Sequence, residues 1–143
     1  MGPSQVVVLL DTNTLLLIAK GLIAPSMIFE AINSSYRLAT TGRIVEELKT
    51  LCTSGRGRLI KRRACYALEL LNKLGVKVID IESPIDADDS LVEASLVLKS
   101  SGHRVYVATS DKSLRRRLRS IGVPTIYLRR SSGRLEADWV DNL

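Results

Sequence analysis

The amino-acid sequence predicts an α/β fold, a three-layer sandwich in which helices cover both faces of a central parallel sheet. Short apolar runs alternate along the chain with longer amphipathic segments, as strands and helices do in parallel β-α units. The 143 residues are the usual length of one domain, and 45% of them are hydrophobic against 25% charged. We therefore expect a single globular domain over residues 1–143.

The first half of the chain opens on an apolar run that is typical of a buried strand. Gly21 and Pro25 then divide an apolar stretch into two helices, and the glycine-rich stretch 54–57 separates two amphipathic helices. The predicted elements are a strand at 5–10, helices at 14–20 and 25–33, a strand at 36–40, and helices at 41–53 and 59–74.

The second half repeats the alternation of strand and helix. We predict strands at 77–81, 104–108 and 124–128, with helices at 86–100 and 111–120 between them. The remaining residues, 129–143, carry no clear signal of either kind.

Aspartates follow two of the predicted strands. Asp11 comes directly after the first strand, and Asp111 lies just past the strand at 104–108 and opens a helix. Each aspartate alone could serve as a helix N-cap, because its carboxylate accepts hydrogen bonds from the next turn. Functional sites of parallel α/β sheets gather at the carboxyl ends of strands, so both side chains are also expected near such a site.

Two neighbouring glutamates differ in the helix face that they occupy. Ile44 and Leu48 lie on the apolar stripe of the helix at 41–53. At about 100° per residue, Glu47 falls on that stripe and Glu46 nearly opposite. An inward carboxylate needs a partner, such as a metal, a basic residue or a proton. A functional role and a structural ion pair both remain open for Glu47.

Three acids crowd the start of the helix at 86–100, which is more than one N-cap requires. The helical wheel places Asp88 nearer than Asp89 to the apolar face. Two carboxylates 4 Å apart repel by ~1 kcal/mol in water and ~4 kcal/mol at an effective dielectric of 20. A divalent cation turns that repulsion into binding, and all-oxygen ligands suit Mg²⁺ or Mn²⁺.

These acids resemble the four-acid pattern of the PIN-domain nucleases. The matching segments are Asp11-Thr12-Asn13, Glu47-Leu48, the stretch 89–94 (Asp-Ser-Leu-Val-Glu-Ala) and Thr109-Ser110-Asp111. The register of the third motif favours Asp89 over Asp88. We follow that register here and keep Asp88 as an auxiliary ligand.

One subgroup is more similar still. Residues 107–119, 122–124 and 126–128, together with Ala87-Asp88-Asp89, resemble the PIN nucleases that process small-subunit ribosomal RNA. The chain lacks the basic N-terminal extension of the eukaryotic members, so we expect an archaeal-type relative that is a bare catalytic domain.

The resemblance implies a Mg²⁺- or Mn²⁺-dependent endoribonuclease that cleaves single-stranded RNA, in particular precursor ribosomal RNA, and leaves 5′-phosphate and 3′-hydroxyl ends. Asp11, Asp89 and Asp111 would hold the metal directly or through water. Glu47 would complete the shell or position the attacking water. Asn13 and Thr109 would orient the carboxylates.

The chain is basic, with 21 lysines and arginines against 15 acids and a net charge of +6. This balance suggests a polyanionic partner. Arginine predominates after Asp111, and arginine binds phosphate bidentately. We expect Lys112, Arg115, Arg116 and Arg119 to contact the RNA backbone. The basic stretches 56–63 and 129–134 are either solvated faces or further contacts.

Two other functions fit the same residues. A toxin nuclease of the VapC kind would use the same chemistry on tRNA or mRNA and would have an antitoxin partner. A non-catalytic RNA-binding assembly factor would retain the surface without the chemistry. A phosphatase is weaker, because Asp11-Thr12-Asn13 lacks the second aspartate of that motif.

The remaining expectations concern partners and compartment. A homodimer and contacts with ribosome-assembly factors are open to a protein of this kind. We find no signal peptide and no apolar stretch that would span a membrane, so the cytoplasm is the expected location. Cys52 and Cys65 are expected to be reduced thiols, and His103, the one histidine, a surface turn residue.

Overall fold

A six-stranded sheet forms the centre of the structure, a computed structural model that describes residues 4–54, 56–82 and 86–138. The strands are β1 (Val6–Leu10), β2 (Arg37–Thr41), β3 (Lys77–Ile79), β4 (Arg104–Ala108), β5 (Thr125–Arg129) and β6 (Arg134–Asp138). The helices are α1 (Thr12–Lys20), α2 (Pro25–Ile32), α3 (Gly42–Ser54), α4 (Arg58–Lys73), α5 (Ala87–Ser100) and α6 (Lys112–Ser120). The spatial order of the strands is β3-β2-β1-β4-β5-β6.

This architecture confirms the predicted α/β sandwich. Strands β1 to β5 are parallel. Helices α1, α3 and α4 pack together, whereas α5 packs against β2, β4 and α6. Right-handed crossovers place the two groups of helices on opposite faces of the sheet. The central strands are therefore buried from both sides, which is why Val8, Leu9 and Val107 belong to nearly continuous apolar runs.

The order of the strands creates a switch point beside β1. The chain moves from β1 outward to β3 and then crosses back to β4, which pairs with β1 on its other side. In the β1–β4 ladder Leu10 lies opposite Ala108, so the two strands end side by side. A crevice at such a point is where open α/β sheets bind ligands.

The strand β6 was not predicted from the sequence. It pairs antiparallel with β5 after a turn in which Gly133 adopts φ 67°. Its five residues, Arg-Leu-Glu-Ala-Asp, bury only Leu135, so they lack the apolar pattern of the other strands. The ladder with β5 and an ion pair at its last residue hold this edge strand in place.

That ion pair gives Arg115 a partner within the chain, and contact of Arg115 with RNA stays a prediction. Its Nε and Nη2 atoms donate to Oδ2 of Asp138 at 3.1 and 2.6 Å, and its guanidinium lies 3.7 Å from the ring centroid of Tyr127. Arg119 approaches the same carboxylate at 3.2 Å but is more exposed. Arg115 thus joins α6 to the sheet edge, and its side chain is 19% exposed.

The two cysteines also differ from expectation. The packing of α3 against α4 brings Cys52 and Cys65 together, with their Cα atoms 4.8 Å apart, and they form a disulfide. The prediction of two reduced thiols was wrong, because sequence spacing alone did not show that the two helices form a hairpin.

Within the part of the chain that the structure describes, no single helix is long and apolar enough to cross a membrane. Helices α1 and α2 together reach the required length and composition, but a bend of 120° separates them.

We predict that Asp138→Asn lowers the free energy of unfolding at pH 7 by about 1–3 kcal/mol, as expected for hydrogen bonds to a charged group. Burial acts to raise the pKa of Asp138, but hydrogen bonds from Arg115 and Thr125 hold it below its ordinary value of 3.8. The carboxylate therefore contributes stability above about pH 4 that is lost as the pH falls through the lowered pKa. Urea denaturation at pH 7 and pH 2.5 checks this. A loss of equal size at both pH values would contradict the charged hydrogen bonds assigned to Asp138. The control is Glu46→Gln, which removes an exposed ion pair and should change the free energy of unfolding little.

Candidate active site

A pocket of about 420 Å³ opens where β1 and β4 end. Its wall combines acidic residues from four different elements with small polar groups. The lining residues are Asp11, Thr12, Asn13, Ile44, Glu47, Ala87, Asp88, Ser110 and Asp111. The pocket lies at the switch point of the sheet, so the topology accounts for the meeting of residues up to 100 positions apart in sequence.

Asp11 is the most buried acid of the pocket, with 8% of its surface exposed. It caps α1, since the backbone N–H of Thr14 donates to its Oδ1 atom at 2.7 Å. Burial raises the pKa of Asp11, hydrogen bonds from Thr109 and Thr14 lower it, and the charge of Asp111 raises it further; the net direction is upward. Asp11 therefore caps α1 and lines the pocket at the same time, and the helix cap uses its Oδ1 atom.

Asp111 caps α6 in the same way, accepting from the backbone N–H of Leu114 at 2.9 Å. Its own backbone N–H donates to Oγ1 of Thr109 at 3.1 Å. The buried Thr109 thus lies between the two aspartates, where it holds the ends of β1 and β4 in one arrangement. Asn13 lines the pocket but is exposed, and its side chain makes no hydrogen bond to a carboxylate of the described residues.

Glu47 reaches the pocket from α3, and Glu46 does not. The hydroxyl of Thr12 donates to Oε1 of Glu47 at 2.6 Å, whereas Glu46 pairs with Arg43 on the exposed side of the helix. The helical wheel therefore separated the two glutamates correctly. It overestimated the burial of Glu47, which is exposed at the mouth of the pocket and has a hydroxyl for a partner. The role of Thr12 was not foreseen from the sequence.

The structure places Asp88 on the pocket wall and Asp89 outside it. Asp86 caps α5 by accepting from the backbone N–H of Asp89 at 2.8 Å, while the Asp89 carboxylate pairs with Arg117 at 2.7 Å. The motif register favoured Asp89, and the geometry favours Asp88 instead. Burial raises the pKa of Asp88, and the charges of Asp111, Asp86 and Asp11 raise it further, against a lowering effect of Arg117.

A buried hydroxyl pair connects the two helices that carry Glu47 and Asp88. Oγ1 of Thr41 and Oγ of Ser90 are 2.7 Å apart, and Thr41 also accepts from the backbone N–H of Ile44 at 3.3 Å. Both side chains are fully buried. Neither residue was given a role from the sequence, in which Thr41 opens the helix predicted at 41–53 and Ser90 lies inside the third acidic motif.

The donor set fits a hard divalent cation. Carboxylate oxygens predominate, and Mg²⁺ typically keeps several waters while binding one or two carboxylates. Among the described residues, no three acidic, histidine or cysteine side chains stand close enough to enclose a cation by themselves. A cation held between Asp11, Asp88 and Asp111 would therefore have to keep part of its water shell.

Of the expected RNA-binding residues, Lys112 and Arg116 are exposed on α6. Neither lines the pocket. Arg115 and Arg119 are both drawn toward Asp138 on β6.

The fold is shared with known structures. It is similar to the PIN domain endonuclease Utp24, with a TM-score of 0.74 and 20% identity over 96% of this chain and 95% of that chain. It is also similar to a domain of a functionally unknown protein from Methanocaldococcus jannaschii DSM 2661, with a TM-score of 0.50 and 16% identity over 86% and 91% of the two chains. No match is found among curated proteins. The family model of the PIN like domain matches residues 8–131, most of the chain, and the chain therefore belongs to the PIN-like domain family.

Proposed function

We propose that this protein is an endoribonuclease that depends on Mg²⁺ or Mn²⁺ and cleaves single-stranded RNA. The observation that carries the proposal is the meeting of Asp11, Glu47, Asp88 and Asp111 around one pocket at the switch point of the sheet. Membership of the PIN-like family supports it, as does the likeness of the fold to that of the PIN domain endonuclease Utp24.

The aspartates would hold the cation, directly or through water. When bound, the cation lowers the pKa of a coordinated water and offsets negative charge on the phosphate. The pKa values of Asp11 and Asp88 are raised first by burial and then by neighbouring acids, and a bound cation would favour the charged form of both carboxyls.

Glu47 is suited to positioning the attacking water. Thr12 donates to its Oε1 atom, which leaves Oε2 free to accept a hydrogen bond from that water. The hydroxyl of Thr12 thereby limits the rotation of the carboxylate, because the 2.6 Å contact holds it at one side of the pocket.

The RNA target is proposed to be a ribosomal RNA precursor. This narrower proposal rests on the similarity of residues 107–128 to the PIN nucleases that process small-subunit ribosomal RNA. It is tested by sequencing RNA crosslinked to the protein in its native cells. Enrichment of precursor ribosomal RNA supports it, and enrichment of tRNA or mRNA alone contradicts it.

We predict that the wild-type protein cuts an unstructured RNA internally in Mn²⁺ and that Asp11→Asn loses more than about 100-fold of the rate, beyond the 10–100-fold typical of outer-shell changes. The variant should unfold at the same or a higher temperature in EDTA. Its raised pKa makes the charged form of Asp11 costly above that pKa, and asparagine removes the charge. Gel analysis of end-labelled RNA and a thermal melt provide the two readouts. Equal cleavage by both proteins would contradict the assignment of Asp11.

A second comparison separates the neighbouring glutamates. Glu47→Gln should slow cleavage severely while Mn²⁺ binding persists, because the aspartates remain. Glu46→Gln should be close to wild type, since its carboxylate pairs with Arg43 away from the pocket. Single-turnover rates at saturating protein give the result. Similar losses in both variants would mean that Glu47 acts through the stability of α3 and not at the pocket.

The two adjacent aspartates of α5 give a third comparison. We expect Asp88→Asn to weaken Mn²⁺ binding at least tenfold, on the order of the effect of a lost partner at a metal site, and Asp89→Asn to leave it nearly unchanged. The reason is that Asp88 lies on the pocket wall and Asp89 does not. Isothermal titration with Mn²⁺ measures both. The opposite ranking would restore the motif register and show that α5 turns when the cation binds.

A further inference from the structure

Arg117 lies close to the acidic pocket without lining it, because it contacts the residue that follows Asp88. It projects from α6 to the first turn of α5, where its Nη2 atom lies 2.7 Å from Oδ1 of Asp89. Asp89 directly follows Asp88, the acid that lines the pocket from this helix. The guanidinium is also close enough to lower the pKa of Asp88, against the raising effect of burial and of the other acids.

Most of the hydrogen-bonding capacity of Arg117 is unused. An arginine side chain carries five N–H donors, and within the described residues the guanidinium of Arg117 makes one hydrogen bond, through one terminal nitrogen. The side chains of Arg117 and Asp89 are 48% and 41% exposed. Ion pairs this exposed contribute little to stability, so the contact can be exchanged for another anion.

Two other arginines of α6, Arg115 and Arg119, already pair with a carboxylate outside the pocket. Arg115 directs two nitrogens to Asp138 and stacks on Tyr127, and Arg119 approaches the same carboxylate. Arg117 differs from both because its partner belongs to the helix that carries Asp88. The sequence pattern alone does not distinguish Arg117 from the other arginines of this helix.

The negative charge of the pocket would repel a phosphate unless a cationic side chain lies near it. Asp11, Glu47, Asp88 and Asp111 surround one cavity, and a divalent ion would neutralise two of these four charges. An incoming phosphate adds a further negative charge. Arginine matches phosphate geometrically, since its planar fork can bind two phosphate oxygens.

We propose that Arg117 forms a phosphate-binding position at the rim of the pocket, exchanging the Asp89 carboxylate for non-bridging oxygens of the RNA backbone. Asp89 is then a competing anion that pairs with the guanidinium in the absence of RNA. This inference rests on the proposed ribonuclease function and assigns one contact within it.

The test compares Arg117→Ala with Arg37→Ala. Arg37 is exposed at the start of β2, at the opposite, amino edge of the sheet, so its loss removes the same charge far from the pocket. Both substitutions are made in the Glu47→Gln background, which keeps the aspartates and slows cleavage. The affinity for a fluorescent 12-nucleotide single-stranded RNA is then measured in Mn²⁺ over a range of salt.

Arg117→Ala should weaken binding by about tenfold, as expected for a charged hydrogen bond. It should also reduce the slope of log affinity against log salt by about 0.7, the value for one phosphate contact on a single strand. Arg117→Lys should restore most of the slope but less of the affinity, because lysine keeps the charge without the fork. Asp89→Asn should bind RNA as tightly as the background protein or more tightly. Mn²⁺ affinity should be unchanged in every variant.

Three outcomes are distinguishable. If the background protein binds RNA and Arg117→Ala matches Arg37→Ala in affinity and slope, the inference is overturned and the proposed function stands. If Arg117→Ala loses Mn²⁺ affinity, Arg117 supports the acids rather than the RNA, and the inference is again overturned. If the wild-type protein neither binds nor cleaves RNA, the proposed function itself fails.

Discussion

Repulsion among carboxylates at the end of β1 is the constraint on which the rest of this structure depends. Asp11 is buried beside Asp111, and both repel Asp88 across the same pocket. A buried carboxylate such as that of Asp11 is costly in an apolar environment unless hydrogen bonds or a cation compensate for its charge. Surrounding backbone and hydroxyl groups hold each acid in place by hydrogen bonds. A cation that enters the pocket would compensate for the remaining negative charge.

Hydroxyl side chains provide much of that support. Thr109 lies between Asp11 and Asp111, Thr12 holds Glu47, and Thr14 donates its hydroxyl to the carbonyl of Ala108 at 2.8 Å. The buried contact of Thr41 with Ser90 connects the starts of α3 and α5. Among them, Thr12 and Thr109 stabilise carboxylates by hydrogen bonds without neutralising them, so the negative potential of the pocket is retained for a cation.

The sequence predicted those parts of the structure that depend on local pattern. Asp11 and Asp111 could be located because each follows an apolar strand, and parallel strands end at a common edge. Asp88 and Asp89 could not be separated with certainty, because Asp86 determines where α5 begins and Arg117, 28 residues after Asp89, draws that side chain away from the pocket. The partner of Arg115 could not be predicted either, because Asp138 belongs to a strand without an apolar pattern.

The central claim is that the aspartates at this edge bind one divalent cation. Anomalous diffraction at the manganese edge, from crystals soaked in Mn²⁺, tests it most directly. The account predicts a single strong peak inside the pocket, in contact with Asp11, Asp88 or Asp111 directly or through one water, and its loss in crystals of Asp11→Asn. A well-ordered pocket without a peak at saturating Mn²⁺, or a peak that persists in Asp11→Asn, would contradict the claim.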